Sequence, residues 1–84
     1  MMKRILVKVY VPQLEKKYDI WIPINKTVYT IISSITKGIN SLNKVSLEDG
    51  YIMNLYNKAN SEIYDLEKKI IDTDIRNGTE LIMI

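Results

Sequence analysis

The stretch Ile75-Arg76-Asn77-Gly78-Thr79-Glu80-Leu81-Ile82-Met83-Ile84 decides the fold, because it joins a turn signal to an apolar strand. Asn77-Gly78 supplies the residues preferred where a turn needs positive φ. The run Leu81 to Ile84 lacks polar alternation, which is typical of a strand that is buried on one face and at least partly covered on the other. Because a bare apolar edge invites aggregation, we expect this strand to lie in the centre of a sheet.

Length and composition favour one small ordered domain over residues 1–84, since 46% of the residues are hydrophobic. The formal charge of +2 is small and interspersed, and it does not indicate a nucleic-acid partner. The chain has no cysteine and no histidine, which excludes a disulfide, a thiolate nucleophile, an imidazole base and an ordinary zinc site. The acidic residues do not converge or follow a calcium-loop spacing. We therefore predict no catalytic residue, no cofactor and no metal site.

The N-terminal residues carry positive charge, but they lack an apolar run of signal-peptide length. No stretch approaches the roughly 20 apolar residues that span a bilayer. These observations predict a cytoplasmic protein without a direct membrane span.

At the start of the chain, every second residue is apolar in each of two successive runs, which predicts a β-hairpin. The first strand places alternate apolar residues on one face and ends at Pro12. The second strand places Trp21 and Pro23 on the face opposite its isoleucines. Because proline cannot donate a ladder hydrogen bond, we expect the second strand to be an edge. The residues of the two apolar faces are Ile5, Val7, Val9 and Val11, then Tyr18, Ile20, Ile22 and Ile24.

After Asn25-Lys26-Thr27 the apolar period changes to about 3.6, which predicts a helix. Thr27 is the expected N-cap, with Asn25 as the alternative. Gly38 lowers the intrinsic helix propensity, so packing against the sheet must stabilise this helix. The predicted apolar stripe is Val28, Ile31, Ile32, Ile35, Ile39 and Leu42.

The remaining chain alternates loops with short strands. Asn43 to Gly50 is predicted to be a loop, Tyr51 to Tyr56 a third strand, and Ile63-Tyr64 a very short strand. Between Asp65 and Asp74 the apolar residues are few, which suits a crossing segment with a helical turn. Its expected anchors in the core are Leu66, Ile70 and Ile71.

The order of these elements is that of the β-grasp fold, an α+β arrangement in which a mixed sheet of four to five strands wraps around one helix. In that fold the first and last strands lie side by side and parallel in the middle of the sheet. This agrees with the central place expected for Leu81 to Ile84.

The chain resembles ubiquitin over nearly its whole length. The resemblance lies in the pattern of its elements and turns rather than in a specific sequence motif. Thr27-Val28 at the helix start, Asp49-Gly50 before the third strand and Gly78-Thr79-Glu80-Leu81 at the entry to the last strand carry this resemblance. The ending Asp74-Ile75-Arg76-Asn77-Gly78-Thr79-Glu80-Leu81-Ile82 is similar to that of the YukD/EsaB family, the small ubiquitin-like proteins of Gram-positive type VII secretion loci.

This resemblance implies a non-catalytic accessory or regulatory protein of a secretion machine that exports small helical proteins of the WXG type. The alternative with the same fold is a ubiquitin-like modifier or a sulfur carrier. Those proteins use a flexible Gly-Gly tail, whereas this sequence stops at Ile84. We therefore expect no conjugation or sulfur transfer through this terminus.

A binding surface is predicted on the sheet face opposite the helix. Strand parity places a contiguous apolar band there, with Trp21 as its anchor because tryptophan is enriched among interface hot spots. The alternative to a binding surface is that lysine and tyrosine side chains cover scattered exposed apolar atoms on this face. The expected partner is a protein of the secretion machine, with a homodimer left open. The predicted band is Leu6, Trp21, Ile52, Ile82 and Ile84.

Overall fold

Two long strands, one helix and two short strands follow one another along the chain. The computed structural model describes residues 3–43 and 53–84. Strands β1 (Arg4–Val11) and β2 (Lys16–Pro23) form the predicted hairpin, joined by a 3₁₀ turn over Pro12–Leu14. The helix α1 (Val28–Asn43) comes next. Two short strands, β3 and β4, complete the described elements; their bounds are Leu55–Asn57 and Glu80–Met83.

The four strands form one mixed sheet in the order β2-β1-β4-β3. β1 is antiparallel to β2 and parallel to β4, and β3 is antiparallel to β4. With α1 packed on one face, this is the predicted ubiquitin-like β-grasp fold. The short strand predicted at Ile63-Tyr64 is reduced to an isolated bridge between Tyr56 and Ile63.

The last strand lies in the centre of the sheet, as its apolar sequence predicts. Leu81 and Met83 are buried under the helix. The preceding turn is bonded to β1, because the N–H of Gly78 donates to the Leu6 carbonyl at 2.7 Å. Gly78 has a φ of +89°, a conformation that suits glycine. The side chain of Asn77 accepts a further bond, from the Leu6 N–H at 2.8 Å.

The core lies between α1 and the inner face of the sheet. Thr27 is the N-cap, since its hydroxyl oxygen accepts the N–H of Thr30 at 3.2 Å. The predicted helix stripe is buried except for Leu42, which is 78% exposed. That part of the prediction is wrong because Leu42 lies beside the edge strand β2, where the described residues leave it uncovered. The buried strand residues include Ile5, Val7, Val9, Val11, Ile22 and Leu55, and Met53, two residues before β3, is buried with them.

The crossing segment is fixed to the start of the helix by backbone hydrogen bonds. The N–H of Val28 donates to the Lys68 carbonyl at 2.8 Å, and the N–H of Ile70 donates to the Lys26 carbonyl at 2.9 Å. A 3₁₀ turn spans Ile70–Asp72 and buries Ile70 completely. Ile71 is exposed, which corrects its prediction as an anchor. A single 3₁₀ turn has three residues, so neighbouring side chains point in different directions.

Some predictions fall outside the described residues. These are the loop over residues 44–50, with its Asp49-Gly50 turn, and the first two residues of the third strand, Tyr51 and Ile52. Of the described residues of that predicted strand, Met53 and Asn54 lie before β3, which begins at Leu55 and ends at Asn57, one residue later than predicted.

Candidate functional site: an open sheet face and a groove beside its edge strand

The predicted anchor Trp21 lies on the sheet face opposite the helix. It is 61% exposed and pairs directly across the hairpin with Leu6, which is half-buried. Residues directly opposite each other on neighbouring strands point to the same face. The structure therefore brings Trp21 and Leu6 together, as predicted.

A row of charged residues crosses the open face next to this pair. Lys8 lies opposite Asp19 on β2 and opposite Glu80 on β4. Lys58 continues the row, with its ammonium nitrogen 3.4 Å from the Glu80 carboxylate. Signs alternate along the row, so neighbouring charges are complementary.

The other two described residues of the predicted band lie beyond the charged row. Ile82 is half-buried between Tyr10 and Tyr56, its partners on the two neighbouring strands. Ile84 is 47% exposed, and its backbone exchanges hydrogen bonds with Asn54. These residues form a second patch, separate from Trp21.

The predicted contiguous band is therefore corrected to two patches. The cause is the register of the parallel pair, in which Lys8 is opposite Glu80, so that Leu6 meets the Asn77-Gly78 turn instead of an apolar residue of β4. Strand parity predicts the face of each residue, but it carries no information on register. Ile52, the fifth member of the band, lies outside the described residues.

A polar cluster joins β3 to the crossing segment. The hydroxyl of Tyr64 donates to the Asp74 carboxylate at 2.6 Å, and the Asn57 amide donates to the Tyr64 oxygen at 2.9 Å. Burial, together with the hydrogen bond to Asp74, raises the pKa of Tyr64 to about 12. The two hydrogen bonds of the Tyr64 hydroxyl link Asn57 of β3 to Asp74 of the crossing segment.

An apolar groove of about 540 Å³ lies between β2 and α1. Isoleucines of both elements form its walls, and the exposed residues Trp21 and Leu42 also line it. Arg4 and Lys26 lie at the end where β2 finishes. The wall residues are Ile20, Ile22, Ile31, Ile35 and Ile39.

Sequence reasoning missed this groove, although a signal for it exists. Thr30, Ser34 and Gly38 recur every four residues and so share one side of the helix. All three line the groove, and a Cβ atom added at Gly38 would have no neighbouring atom within 4 Å. Small side chains on this side of α1 keep the groove open.

Residues 3–43 and 53–84 contain neither a cluster of metal-ligating side chains nor a helix that could span a membrane. Within these ranges no three acidic side chains come together in a way that could hold a metal ion. The helix α1 is too short and too polar to cross a membrane.

No protein-family model and no curated protein sequence matches this chain. Solved structures do match it. A chain of the toluene 4-monooxygenase HD complex with the inhibitor 4-bromobenzoate has a TM-score of 0.80 at 9% identity, with 96% of each chain covered. The ubiquitin-like domain of the Mycobacterium tuberculosis type VII secretion system protein ECCD1 has a TM-score of 0.74 at 14% identity, with 99% of each chain covered.

A third likeness is to a chain of the ESX-5 inner membrane complex, with a TM-score of 0.69 and 13% identity. It covers 96% of this chain and 20% of that longer chain. At these identities the comparisons show the fold alone, a ubiquitin-like β-grasp domain that recurs in proteins of type VII secretion systems.

Proposed function

We propose that this chain is a non-catalytic protein-interaction domain and an accessory or regulatory component of a type VII secretion system. The observation that supports this most is the end-to-end likeness to the ubiquitin-like domain of ECCD1. The similarity of the Asp74 to Ile82 ending to the YukD/EsaB family points the same way. In this role the chain works in the cytoplasm, bound to a protein of the membrane secretion complex.

Trp21 is the proposed anchor of the partner contact, with Leu6 beside it. A tryptophan that is 61% exposed offers a large apolar area at a low cost in conformational entropy. The patch formed by Ile82 and Ile84 is a second contact area on the same face, and the proposal extends to Ile52. The charged row between the two patches would fix the orientation of a partner.

The test is co-purification of the tagged protein from detergent-solubilised membranes of its native cell. We expect components of a secretion apparatus to co-purify with the wild type, and Trp21→Ala to lower their recovery about tenfold or more. Tyr29→Ala is the matched control, because Tyr29 is 55% exposed but lies on α1 away from the groove lining and the sheet. Equal recovery with all three proteins, or no secretion component with any of them, would contradict the proposal.

A second candidate is a non-catalytic subunit of an enzyme complex. What favours it is the TM-score of 0.80 with a chain of the toluene 4-monooxygenase complex. The same co-purification distinguishes the two roles, since it would then recover oxygenase subunits. A modifier or sulfur carrier would be recognised by a covalent adduct in the intact mass of the native protein.

A further inference from the structure

We propose that Asn77-Gly78 is a site of spontaneous deamidation, and that Leu6 controls the reaction because it must release the turn before Asn77 can react. The product is an aspartate or an isoaspartate at position 77. Water is the co-reactant, and ammonia is the leaving group. The reaction needs no partner and no enzyme, so its occurrence is independent of the proposed function.

The dipeptide has the residue types that this chemistry needs. The backbone nitrogen of Gly78 loses its proton and bonds to the side-chain carbon Cγ of Asn77, while the Cγ–Nδ2 bond breaks and Nδ2 leaves as ammonia. The five-membered succinimide ring that remains is then opened by water at either carbonyl. Glycine has no side chain to hinder the attack. Of the asparagines in the sequence, Asn77 alone precedes a glycine.

In the folded chain the attacking nitrogen is held in a hydrogen bond. The N–H of Gly78 donates to the Leu6 carbonyl at 2.7 Å. An amide nitrogen is planar, so in the succinimide the new bond to Cγ takes the position that the hydrogen occupied. An N–H that points to Leu6 cannot direct this position toward Cγ of Asn77. The hydrogen bond and the reaction therefore exclude each other.

The side chain that is attacked is held by the same residue. Oδ1 of Asn77 accepts the Leu6 N–H at 2.8 Å, so the two backbone groups of Leu6 bind both reacting groups at once. The next contact along β1 adds to this attachment, since the N–H of Lys8 donates to the Thr79 carbonyl at 3.0 Å. The reacting groups can meet only after the turn detaches from β1.

The turn can detach without unfolding of the core. Both reacting residues are exposed, and the turn is closed by hydrogen bonds between its ends. The N–H of Thr79 donates to the Arg76 carbonyl at 3.0 Å, and the N–H of Arg76 donates to the Thr79 hydroxyl at 2.8 Å. The residues that anchor the turn on either side, Ile75 and Leu81, are buried. An exposed segment held mainly by hydrogen bonds opens at a lower free energy than the whole domain.

The two products differ in the contact that they keep with Leu6. An aspartate retains a side-chain oxygen that can accept the Leu6 N–H in place of Oδ1. An isoaspartate continues the main chain through Cβ and Cγ, which inserts an extra carbon before Gly78 and displaces Gly78 from Leu6. The isoaspartate therefore loosens the turn from β1 beside the Leu6-Trp21 pair, whereas the aspartate does not.

The test is mass spectrometry of tryptic peptides from the full chain after incubation at mildly alkaline pH. Trypsin cleaves after Arg76, so Asn77 lies in the peptide of residues 77–84, whose mass rises when an amide becomes a carboxylate. Digestion in ¹⁸O-labelled water marks the events that occur during digestion. We expect the chain unfolded in guanidinium chloride to deamidate at Asn77 at least about tenfold faster than the folded chain. Equal rates in the two states, or no deamidation of the unfolded chain, would overturn the proposal.

Two threonine variants separate detachment of the turn from global unfolding. Thr79→Ala removes the hydroxyl that accepts the Arg76 N–H, so deamidation of the folded chain should be about fivefold faster. Thr27→Ala is the matched control, because it removes the N-cap hydroxyl of α1 and destabilises the fold away from the turn. Its folded rate should equal that of the wild type, and all unfolded chains should react equally fast. Equal acceleration by both variants would assign the reaction to global unfolding and contradict the control by Leu6.

Hydrogen exchange tests the consequence of the reaction. Ion exchange separates the deamidated chains by their added negative charge, and reversed-phase chromatography of their peptides identifies the isoaspartate form. Exchange of the Leu6 amide should be about tenfold faster in this form than in the wild type, whereas Asn77→Asp should match the wild type. Unchanged exchange in the isoaspartate form, or loss of protection in Asn77→Asp, would contradict the difference between the products. Neither result alters the outcome expected of the co-purification experiment.

Discussion

Tyr64 connects strand β3 with the crossing segment through its hydroxyl, and this contact predicts a dependence of stability on pH. Burial and the bond to Asp74 raise the pKa of Tyr64 from 10.0 to about 12. The folded protein then keeps the phenol proton at a pH where the unfolded chain has lost it. The stability that this group contributes is therefore complete below pH 10 and is lost as the pH rises toward 12.

The measurement is urea unfolding of the wild type and of Tyr64→Phe at a series of alkaline pH values. Below pH 10 we expect the variant to be less stable by roughly 1 kcal/mol, because a partly exposed hydrogen bond to a carboxylate is lost. The difference should shrink as the pH approaches 12. A difference that stays constant over this range would show that the Tyr64 proton does not contribute.

Single residues also show where prediction from sequence stops. Asn77-Gly78 is recognisable as a turn from its residue types, and Gly78 has the positive φ that these types suggest. The hydrogen bond from the Leu6 N–H to the Asn77 side chain is not recognisable, because it joins residues 71 positions apart in the chain. That bond places Leu6 beside the turn and thereby determines which residues accompany Trp21.

At the scale of elements, two glycines offer a paired test, one inside the helix α1 and one in the turn before β4. Gly38 lies within α1 and has open space around it, so Gly38→Ala should stabilise the fold by up to about 1 kcal/mol. Gly78 also has open space, but its φ of +89° is strained for any other residue. Gly78→Ala should therefore destabilise the fold by about 1 kcal/mol or more. Thermal and urea unfolding of both variants measure these changes, and equal signs would contradict the assignment.

The elements themselves follow from the hydrophobic periods. Apolar residues of β1 and α1 repeat with the periods of a strand and a helix, and the uninterrupted apolar run of β4 agrees with its central position. The exposure of Leu42 does not follow from this periodicity. An apolar stripe shows which side of a helix faces the sheet, but it does not show how far the sheet extends beneath the helix. At the end of α1 the stripe extends past the edge strand, and the groove begins there.

At the scale of the whole molecule, function depends on what the β-grasp fold leaves uncovered. The sheet has one covered and one open face, and its edge strand β2 adjoins both the open face and the groove. Trp21 stands where these two surfaces meet, because its side chain lies on the open face and its backbone lies on the free edge. The fold order is predictable from sequence, but the splitting of the apolar band and the presence of the groove depend on register and helix placement.

The central claim is that this chain contacts a secretion-apparatus protein through the surface around Trp21. The most direct measurement is photo-crosslinking in the native cell, with a photoreactive phenylalanine derivative in place of Trp21 or, as the control, in place of Tyr29. We predict a covalent adduct with a component of the secretion apparatus from position 21 and none from position 29. Adducts of equal yield from both positions, or no secretion component linked to position 21, would contradict the claim.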